Sequence, residues 1–211
     1  MGTDEQAGAH RLTAKGQATR ARIVSAAAAE MFARGVARTS LDDVKAAAGV
    51  SSSQLYHYFA DKHALVLAVI EHQTDEVLAA QEPFLARLDS LDALRAWRDL
   101  LVDLQRRLQC RGGCPIGTLG SELAETDPDA RARVGSGFAR WEAGIRDGLR
   151  AMHARGELRA DVDPDDLALA TLAALQGGLV LTQIRRETTP LEVALDAMLA
   201  HIASLTTPGQ A

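Results

Sequence analysis

Two short helical segments joined by a single glycine constrain the fold of this chain more than any other feature of its sequence. The first predicted helix follows Ser40, a residue type that caps the free N–H groups of a helix start, and Gly49 ends it. The second starts at Ser51, and Gln54 three residues later completes a reciprocal capping pattern. Two helices this short around a tight turn have the dimensions of a helix-turn-helix.

Helical periodicity also dominates the rest of the chain. Asp127–Pro128, Asp163–Pro164 and Thr189–Pro190 each combine a capping residue with a proline, which is typical of a helix start. Alternating β-branched runs bounded by turns are missing from the sequence. We therefore expect an all-α fold of about nine helices. Besides the two short helices, the predicted ranges are 17–34, 62–88, 91–109, 116–125, 128–155, 165–186 and 191–205.

Charge divides the chain unevenly and supports three regions. Residues 1–16 are polar, contain glycine and predict a flexible arm; residues 17–62 form the helix-turn-helix domain, and residues 63–211 form the body. Between residues 10 and 62 there are eight Lys/Arg against four Asp/Glu, whereas the counts after residue 62 are fifteen against twenty-two. A basic end on an acidic body predicts that only the N-terminal part approaches a polyanion, although a solvated surface gives the same excess.

Several classes of protein are disfavoured by what the sequence contains. Cys110 and Cys114 lie too close together to staple the fold and predict buried thiols, not a metal site. The six histidines are scattered, and no spacing typical of a metal ligand set or a catalytic nucleophile is present. We expect no enzymatic activity, cofactor or metal. Without an apolar leader or an apolar run of roughly 20 residues, the prediction is a cytoplasmic protein with no membrane segment.

The second short helix carries the candidate nucleic-acid contacts. In a helix-turn-helix this helix lies in the major groove and presents its first residues to base edges. The four residues from Ser51 to Gln54 are small polar groups suited to bases or phosphates, and Tyr56, Tyr58 and Lys62 offer hydroxyls and a charge to phosphates. Taken alone, the aromatic run could be a core stripe and the serines a simple cap.

A longer pattern of residues resembles the tetracycline-repressor (TetR) family. The resemblance spans about fifty residues and implies an all-helical homodimer that binds palindromic double-stranded operator DNA and leaves it when a small molecule binds. It also implies a three-helix DNA-binding head and a larger ligand-binding and dimerisation domain of about six helices. The residues that carry it are Thr19, Ile23, Ala26, Ala27, Phe32, Gly35, Thr39, Ser40, Val44, Ala48, Gly49, Val50, Ser51, Leu55, Tyr56, Tyr58, Phe59, Asp61, Lys62 and Leu65.

The resemblance also assigns roles to single residues. It implies phosphate contacts at Thr39, Ser40 and Lys62, and a tyrosine packed on the DNA backbone at Tyr56. The start of the recognition helix is Ser51, Ser52, Ser53 and Gln54. Either His57 or Tyr58 touches DNA, because Tyr58 stands where the family often has histidine. The implied core positions are Ile23, Phe32, Val44, Leu55 and Phe59.

The body resembles a subgroup of the family that includes the LmrA and YxaF repressors. The segment from Gly113 to Leu123 and the Gln176–Gly177–Gly178 triplet carry this resemblance, together with Pro190–Leu191 and Ala194–Leu195. It implies a lipophilic or planar aromatic effector. Candidate pocket residues, each also a plausible core residue, are Trp97, Leu101, Leu104, Gln105, Cys114, Ile116, Phe138, Trp141, Ile145 and Gln176.

The predicted helix 165–186 is apolar on nearly every face and therefore predicts burial on more than one side. With Ala173, Ala174, Gly177 and Gly178 allowing close approach, and Leu191, Leu195, Met198 and Leu199 beside it, this helix predicts a two-helix dimer surface. The alternative is a central core helix of one protomer. Two other functions also stay open: a ligand carrier without DNA affinity, and a constitutive architectural DNA binder.

Overall fold

The computed structural model describes residues 13–207, and they form nine α-helices and one short 3-10 helix. The all-α prediction is confirmed. The helices are α1 Ala14–Arg34, α2 Leu41–Ala48, α3 Ser52–Tyr58, α4 Lys62–Ala79, α5 Leu91–Arg107, α6 Pro115–Leu123, α7 Pro128–Ala154, α8 Pro164–Arg185 and α9 Thr189–Ser204; the 3-10 helix is Leu85–Arg87.

Side-chain caps start most of these helices where the sequence predicts. Asp127 and Asp163 each accept a backbone N–H of the following turn, and a proline occupies the first turn of both helices. Other bounds differ from the predicted ranges, and three of these differences have a visible cause. Helix α1 begins at Ala14, because the Thr13 side chain caps it by accepting the Gly16 N–H; most of the predicted arm, residues 1–12, lies outside the described part of the chain.

The predicted helix 62–88 is too long, and the start predicted at Thr189 is one residue late. Helix α4 ends at Ala79, shortly before Pro83, whose ring removes a backbone donor and prevents a regular helix from continuing. Thr188 flanks α9, so that Thr189 is already helical and Pro190 falls in the first turn.

The chain divides into two compact units within α4, the first ending at Val69 and the second beginning at Ile70. In the N-terminal unit, Ile23 of α1, Val44 of α2 and Leu55 of α3 are completely buried, and α1 packs on α2. Phe32, an implied core position, is instead 43% exposed. It points away from the stripe of α1 that holds Ile23 and Ala27, so the core of this unit forms without it.

In the C-terminal unit, α8 packs between α7 and α9, and α5 packs on α9. Gly178 permits the close α8–α9 approach, since a Cβ placed there would lie 3.0 Å from the Leu191 Cα. Arg98 of α5 forms two 2.8 Å hydrogen bonds to the Asp196 carboxylate of α9, which ties these helices at the surface. The core between them is a layer of leucines, tryptophans and isoleucines that includes Leu94, Trp97, Ile145, Leu149, Leu175 and Leu195.

Helix α8 has the length and composition of a helix able to cross a membrane, contrary to the expectation that no segment reaches this length. Less than half of its most apolar window, 44%, is buried in the protomer. One face, with Leu172, Leu175 and Leu179, belongs to the core, and the other is exposed.

Candidate functional site

The turn between α2 and α3 depends on Gly49. This residue has φ 62° and ψ 42°, in the left-handed region that glycine adopts without a Cβ penalty. Its N–H reaches the Ala46 carbonyl oxygen, and the Val50 N–H donates to the Lys45 carbonyl oxygen at 3.2 Å. The chain therefore ends one helix and starts the next within a few residues, as a helix-turn-helix requires.

The first turn of α3 is held by a capping box. The Ser51 hydroxyl oxygen accepts the Gln54 N–H at 3.2 Å, and the Gln54 side-chain oxygen accepts the Ser51 N–H at 2.9 Å. Ser53 also lies within hydrogen-bond distance of the Ser51 hydroxyl, 3.0 Å away. The capping prediction is confirmed. The amide nitrogen of Gln54 keeps its two donors for a ligand, because the cap uses only the side-chain oxygen.

Helix α3 separates its core residues from its exposed polar residues. Leu55 and Phe59 are buried, whereas all four residues from Ser51 to Gln54 are exposed. Tyr56 is 56% exposed, which is unusual for a large aromatic side chain in a packed unit. The core-stripe alternative therefore holds for Leu55 and Phe59 but not for Tyr56.

His57 and Tyr58 form an edge-to-face pair with ring centroids 4.8 Å apart. The His57 side chain is exposed and Tyr58 is half-buried. In this arrangement Tyr58 supports the ring of its neighbour, and His57 presents the larger polar surface. The DNA contact of either residue stays a prediction.

Thr39 and Ser40 both act on the start of α2. Thr39 is buried, and its hydroxyl donates to the Gly35 carbonyl oxygen at 2.9 Å. The exposed Ser40 hydroxyl donates to the Asp43 carboxylate at 2.6 Å and also accepts the Asp43 N–H. A phosphate contact through the Thr39 hydroxyl is not available in this conformation, because the group is buried and already donating. Ser40 remains accessible.

The pKa of the Asp43 carboxyl is lowered by these contacts at the start of α2. The main cause is the hydrogen bond from the Ser40 hydroxyl, followed by the Ser40 backbone N–H and the positive charge of Arg34. Hydrogen bonds to the ionised form favour that form. Asp43 therefore stays charged and keeps the capping box closed.

Lys62 links the start of α4 to the turn after α1. Its ammonium nitrogen donates to the Val36 carbonyl oxygen at 2.6 Å, and the side chain is partly buried. An ammonium group has three donors, so two remain for a phosphate. The predicted phosphate role and this internal contact are compatible.

Two basic residues that lie near α3 are not among the residues predicted from the sequence. The Lys45 ammonium of α2 donates to the Ser52 hydroxyl at 2.8 Å, and the Arg20 guanidinium lies 5.2 Å from the centre of the Phe59 ring. Both contacts join residues on different helices, so local patterns do not reveal them. The one available signal is that Lys45 is the sole lysine or arginine between Arg38 and Lys62.

The candidate ligand residues of the C-terminal unit are mostly buried. Trp97 donates its indole N–H to the Gln81 side-chain oxygen at 2.9 Å, so its polar atom is already satisfied within the core. Gln176 lies beside Cys114, since both side chains come within 3.4 Å of a Cβ placed at Gly117. Fully or largely buried are Trp97, Leu101, Gln105, Cys114, Ile116, Trp141 and Ile145; half-buried are Leu104, Phe138 and Gln176.

Three of these residues carry buried polar atoms with no hydrogen-bond partner among the described residues. They are the Gln105 side-chain oxygen, the Trp141 indole nitrogen and the Gln176 amide nitrogen. On α7, Arg146 Nε and His153 Nε2 are also buried and have no hydrogen-bond partner in the described part of the chain. An unpaired buried polar group costs about 1–3 kcal/mol, so such atoms mark places where a bound molecule would be stabilised.

Helices α8 and α9 expose a set of large apolar side chains, which we call the α8–α9 face. Ile184 is 70% exposed, and Gly177 has open space where a Cβ would stand. Gly178, Leu191 and Leu195, predicted at a dimer surface, pack inside the protomer instead, because α8 and α9 meet there. The exposed members of the face are Leu169, Val180, Leu181, Ile184 and Val193.

Comparison with known protein families matches both units. Residues 23–69 match the family described as bacterial regulatory proteins, tetR family. Residues 90–198 match the tetracyclin repressor-like C-terminal domain. Together the two matched segments cover the helix-turn-helix and the part of the chain that holds the buried unpaired polar atoms.

Individual relatives agree with these matches. The transcriptional regulator AcuR of Cereibacter sphaeroides is 29% identical over 171 residues, which cover 80% of this chain and 78% of the relative. The transcriptional regulator TtgR of Pseudomonas putida is 30% identical over 169 residues, 76% of this chain and 78% of the relative. A crystal structure of a TetR transcriptional regulator from Chloroflexus aurantiacus superposes with a TM-score of 0.79 at 32% identity, covering 92% of this chain and 98% of that one.

Proposed function

The chain belongs to the TetR family of bacterial transcriptional regulators and is a DNA-binding protein, not an enzyme, and we propose that it is a repressor released from its operator by a small ligand. In this proposal a homodimer binds a palindromic operator, and a lipophilic or aromatic molecule held in the C-terminal unit lowers the affinity for DNA. The observation that carries the proposal is the first turn of α3, which is exposed to solvent and held by the capping box of Ser51 and Gln54.

The DNA-binding part of the proposal rests on the surface of the N-terminal unit. Ser51 to Gln54 are exposed at the N-terminal turn of α3, the part of a recognition helix that meets base edges. Tyr56 projects from the same helix, and Ser40 and Lys62 lie at the starts of the flanking helices, where phosphates are bound.

The dimer part of the proposal rests on the α8–α9 face. Exposed apolar side chains cost free energy in water, and burying one branched aliphatic side chain stabilises a complex by about 1.5–3 kcal/mol. In a twofold dimer the same face of both protomers forms the interface, so each α8–α9 face would be buried by its copy on the partner. A dimer also matches the twofold symmetry of a palindromic operator.

The ligand part of the proposal rests on the unpaired buried atoms of Gln105, Trp141 and Gln176. The buried residues of the C-terminal unit are mainly leucine and isoleucine with two tryptophans, which favours an effector that is mainly apolar with a few polar groups. Such a molecule would pair with the buried atoms that lack a partner. The subgroup resemblance of the segment from Gly113 to Leu123 supports a planar aromatic or lipophilic effector.

Coupling between the two functions requires a ligand with different affinities for two conformations. We propose that the effector favours a dimer whose two recognition helices are wrongly spaced for half-sites about one helical turn apart. Helix α4 runs from Lys62 into the C-terminal unit and is the proposed transmitter. The protein acts in the cytoplasm, where operator DNA is found.

The experiment is a fluorescence-anisotropy titration of the full chain against the DNA upstream of its own coding region and against random DNA of equal length. Titrations at several salt concentrations separate specific from general binding, and a panel of planar aromatic compounds follows. Tight binding that one compound reverses supports a ligand-released repressor. Affinity no better than for random DNA contradicts the assignment of this operator, and unchanged or tighter binding with every effector that binds the protein contradicts release.

The same titration separates the other functions that fit part of the structure. A ligand carrier would bind compounds with no salt-sensitive, sequence-specific DNA binding. An architectural DNA binder would hold DNA regardless of any compound. Only a ligand-responsive regulator gives both results together.

A further inference from the structure

The ammonium group of Lys45 lies at the first residue of the recognition helix although Lys45 belongs to the preceding helix. Its nitrogen is 2.8 Å from the Ser52 hydroxyl oxygen and forms an ion pair with Asp42 on α2. Ser52 is the first residue of α3. The contact thus places a positive charge where α3 itself has only serine hydroxyls and the Gln54 amide.

Burial and charge hold this ammonium in a defined position. The Lys45 side chain is 24% exposed, so most of its stem is packed, while the Asp42 side chain is 86% exposed. Two of the three ammonium donors are used, one by Ser52 and one by Asp42, and one remains. A lysine held in this way has lost most of its side-chain freedom before DNA binds, which lowers the entropic cost of a further contact.

We propose that Lys45 is a specificity-determining residue that reads a guanine in the major groove at the N-terminal turn of α3. Guanine presents two acceptors, N7 and O6, on its major-groove edge, and a lysine or arginine donor is their usual partner. The N-terminal turn of a recognition helix faces base edges. The hydrogen bond to Ser52 places the Lys45 ammonium at that turn, although Lys45 itself belongs to α2. This inference rests on the proposed DNA-binding function, since it assigns a residue to the same interface.

The test is selection of binding sites from a random DNA library with the full-length wild-type protein and Lys45→Met. Methionine keeps the unbranched, packed stem and removes only the charge and its donors. The wild type is expected to select half-sites with an invariant G·C pair. Lys45→Met is expected to lose about 5-fold of the discrimination at that pair alone, the low end for a base contact, because one ammonium donor is free to make it. Thermal unfolding establishes that both proteins are folded.

Two matched variants decide between a base contact and other roles. Lys15→Met removes an equal charge from exposed α1 and is expected to leave the selected sequence unchanged. Ser52→Ala breaks the hydrogen bond that positions the ammonium but keeps its charge, so it should weaken the guanine preference less than Lys45→Met does. If Lys45→Met weakens all sequences equally and lowers the salt slope, Lys45 binds a phosphate and the inference is wrong. It is also wrong if Ser52→Ala and Lys45→Met lose the same preference equally.

Failure of the inference is distinct from failure of the proposed function. If the wild type selects no sequence at all, the proposed function is contradicted. If the wild type selects a clear palindrome and Lys45→Met selects the same palindrome with the same preferences, only the role of Lys45 is contradicted.

Discussion

Lys62 donates a hydrogen bond to the Val36 carbonyl oxygen at 2.6 Å and so connects the first residue of α4 to the turn that follows α1. The two residues are 26 positions apart in the chain. The same ammonium is the predicted phosphate ligand at the edge of the DNA-binding surface. One side chain therefore serves both the stability of the N-terminal unit and its affinity for DNA.

Replacement of Lys62 by alanine is expected to affect both properties. The internal contact is partly buried, so its loss should lower the free energy of unfolding by about 1.5 kcal/mol, the low end for hydrogen bonds to charged groups. Loss of a phosphate contact should weaken specific and random DNA alike and reduce the log–log salt slope by about 1 per protomer. Chemical denaturation and salt-dependent anisotropy measure the two effects separately. An unchanged salt slope would remove Lys62 from the interface and leave only its structural role.

Replacement of Tyr56 by alanine should abolish tight operator binding without unfolding the protein. The side chain is 56% exposed and is not part of the core, so stability should change by less than about 0.5 kcal/mol. Operator affinity should fall roughly tenfold or more, about 1.4 kcal/mol. Tyr56→Phe is the matched control, because it keeps the ring and removes only the hydroxyl. Normal operator affinity in Tyr56→Ala, measured by anisotropy, would contradict the assignment.

The Asp43 carboxyl should contribute a pH-dependent share of the stability of the N-terminal unit. Its pKa is lowered in the folded protein by the Ser40 hydroxyl, so the contribution is complete above the ordinary aspartate pKa of about 3.9 and is lost as the pH falls through the lowered value. Thermal unfolding of the wild type and Asp43→Asn between pH 7 and 3 measures this. The difference between them should shrink below about pH 4. A constant difference would show that Asp43 acts through packing and not through charge.

Local signals explain how much of the fold the sequence could reveal. Ser40 and Ser51 cap their helices through residues three positions away, and the Asp–Pro pairs act within one turn, so these starts are visible in the sequence alone. Helix ends depend on weaker signals. The apolar period continues past Ala79, so periodicity alone extends α4 to about residue 88 although Pro83 lies within that range.

Contacts between helices explain what the sequence could not reveal. Lys45 reaches Ser52 only because the Gly49 turn brings α2 and α3 together, and Trp97 pairs with Gln81 only through the packing of α5 on the segment after α4. Phe32 follows the helical period of α1 but lies off its buried stripe, which periodicity alone does not resolve. Such long-range geometry decided which candidate residues became core and which stayed exposed.

The α8–α9 face gives a prediction about assembly. Ile184→Asp introduces a charge at a site that is 70% exposed in the protomer, so a dimer through this face should dissociate at micromolar concentration. Leu108→Asp is the matched control, because Leu108 is an exposed aliphatic residue of the same size, 53% accessible, directly after α5 and outside the α8–α9 face. Sedimentation equilibrium should find a monomer for the first variant and a dimer for the second. A dimeric Ile184→Asp protein would place the interface elsewhere.

Two buried glutamines of the C-terminal unit test whether it is built to hold a ligand. Both polar atoms of the Gln81 side chain are hydrogen-bonded. The oxygen accepts the Trp97 N–H at 2.9 Å, and the amide nitrogen donates to the Val77 carbonyl oxygen at 2.8 Å. Gln105 is also buried, yet its side-chain oxygen has no partner among residues 13–207. Gln81→Met should therefore cost about 1–3 kcal/mol, because it leaves the indole N–H unpaired.

Gln105→Met should behave in the opposite way. Methionine has a similar volume and removes an unpaired polar atom, so the unfolding free energy should stay the same or rise by up to about 1 kcal/mol. If Gln105 exists to bind an effector, the same substitution should weaken the effector's release of DNA at least tenfold while operator affinity stays normal. Denaturant titration and effector-dependent anisotropy on both variants measure this. A stabilised Gln105→Met protein that still responds normally would mean that the orphaned oxygen lies outside the effector site, and the unpaired atoms of Trp141 and Gln176 would then have to define it.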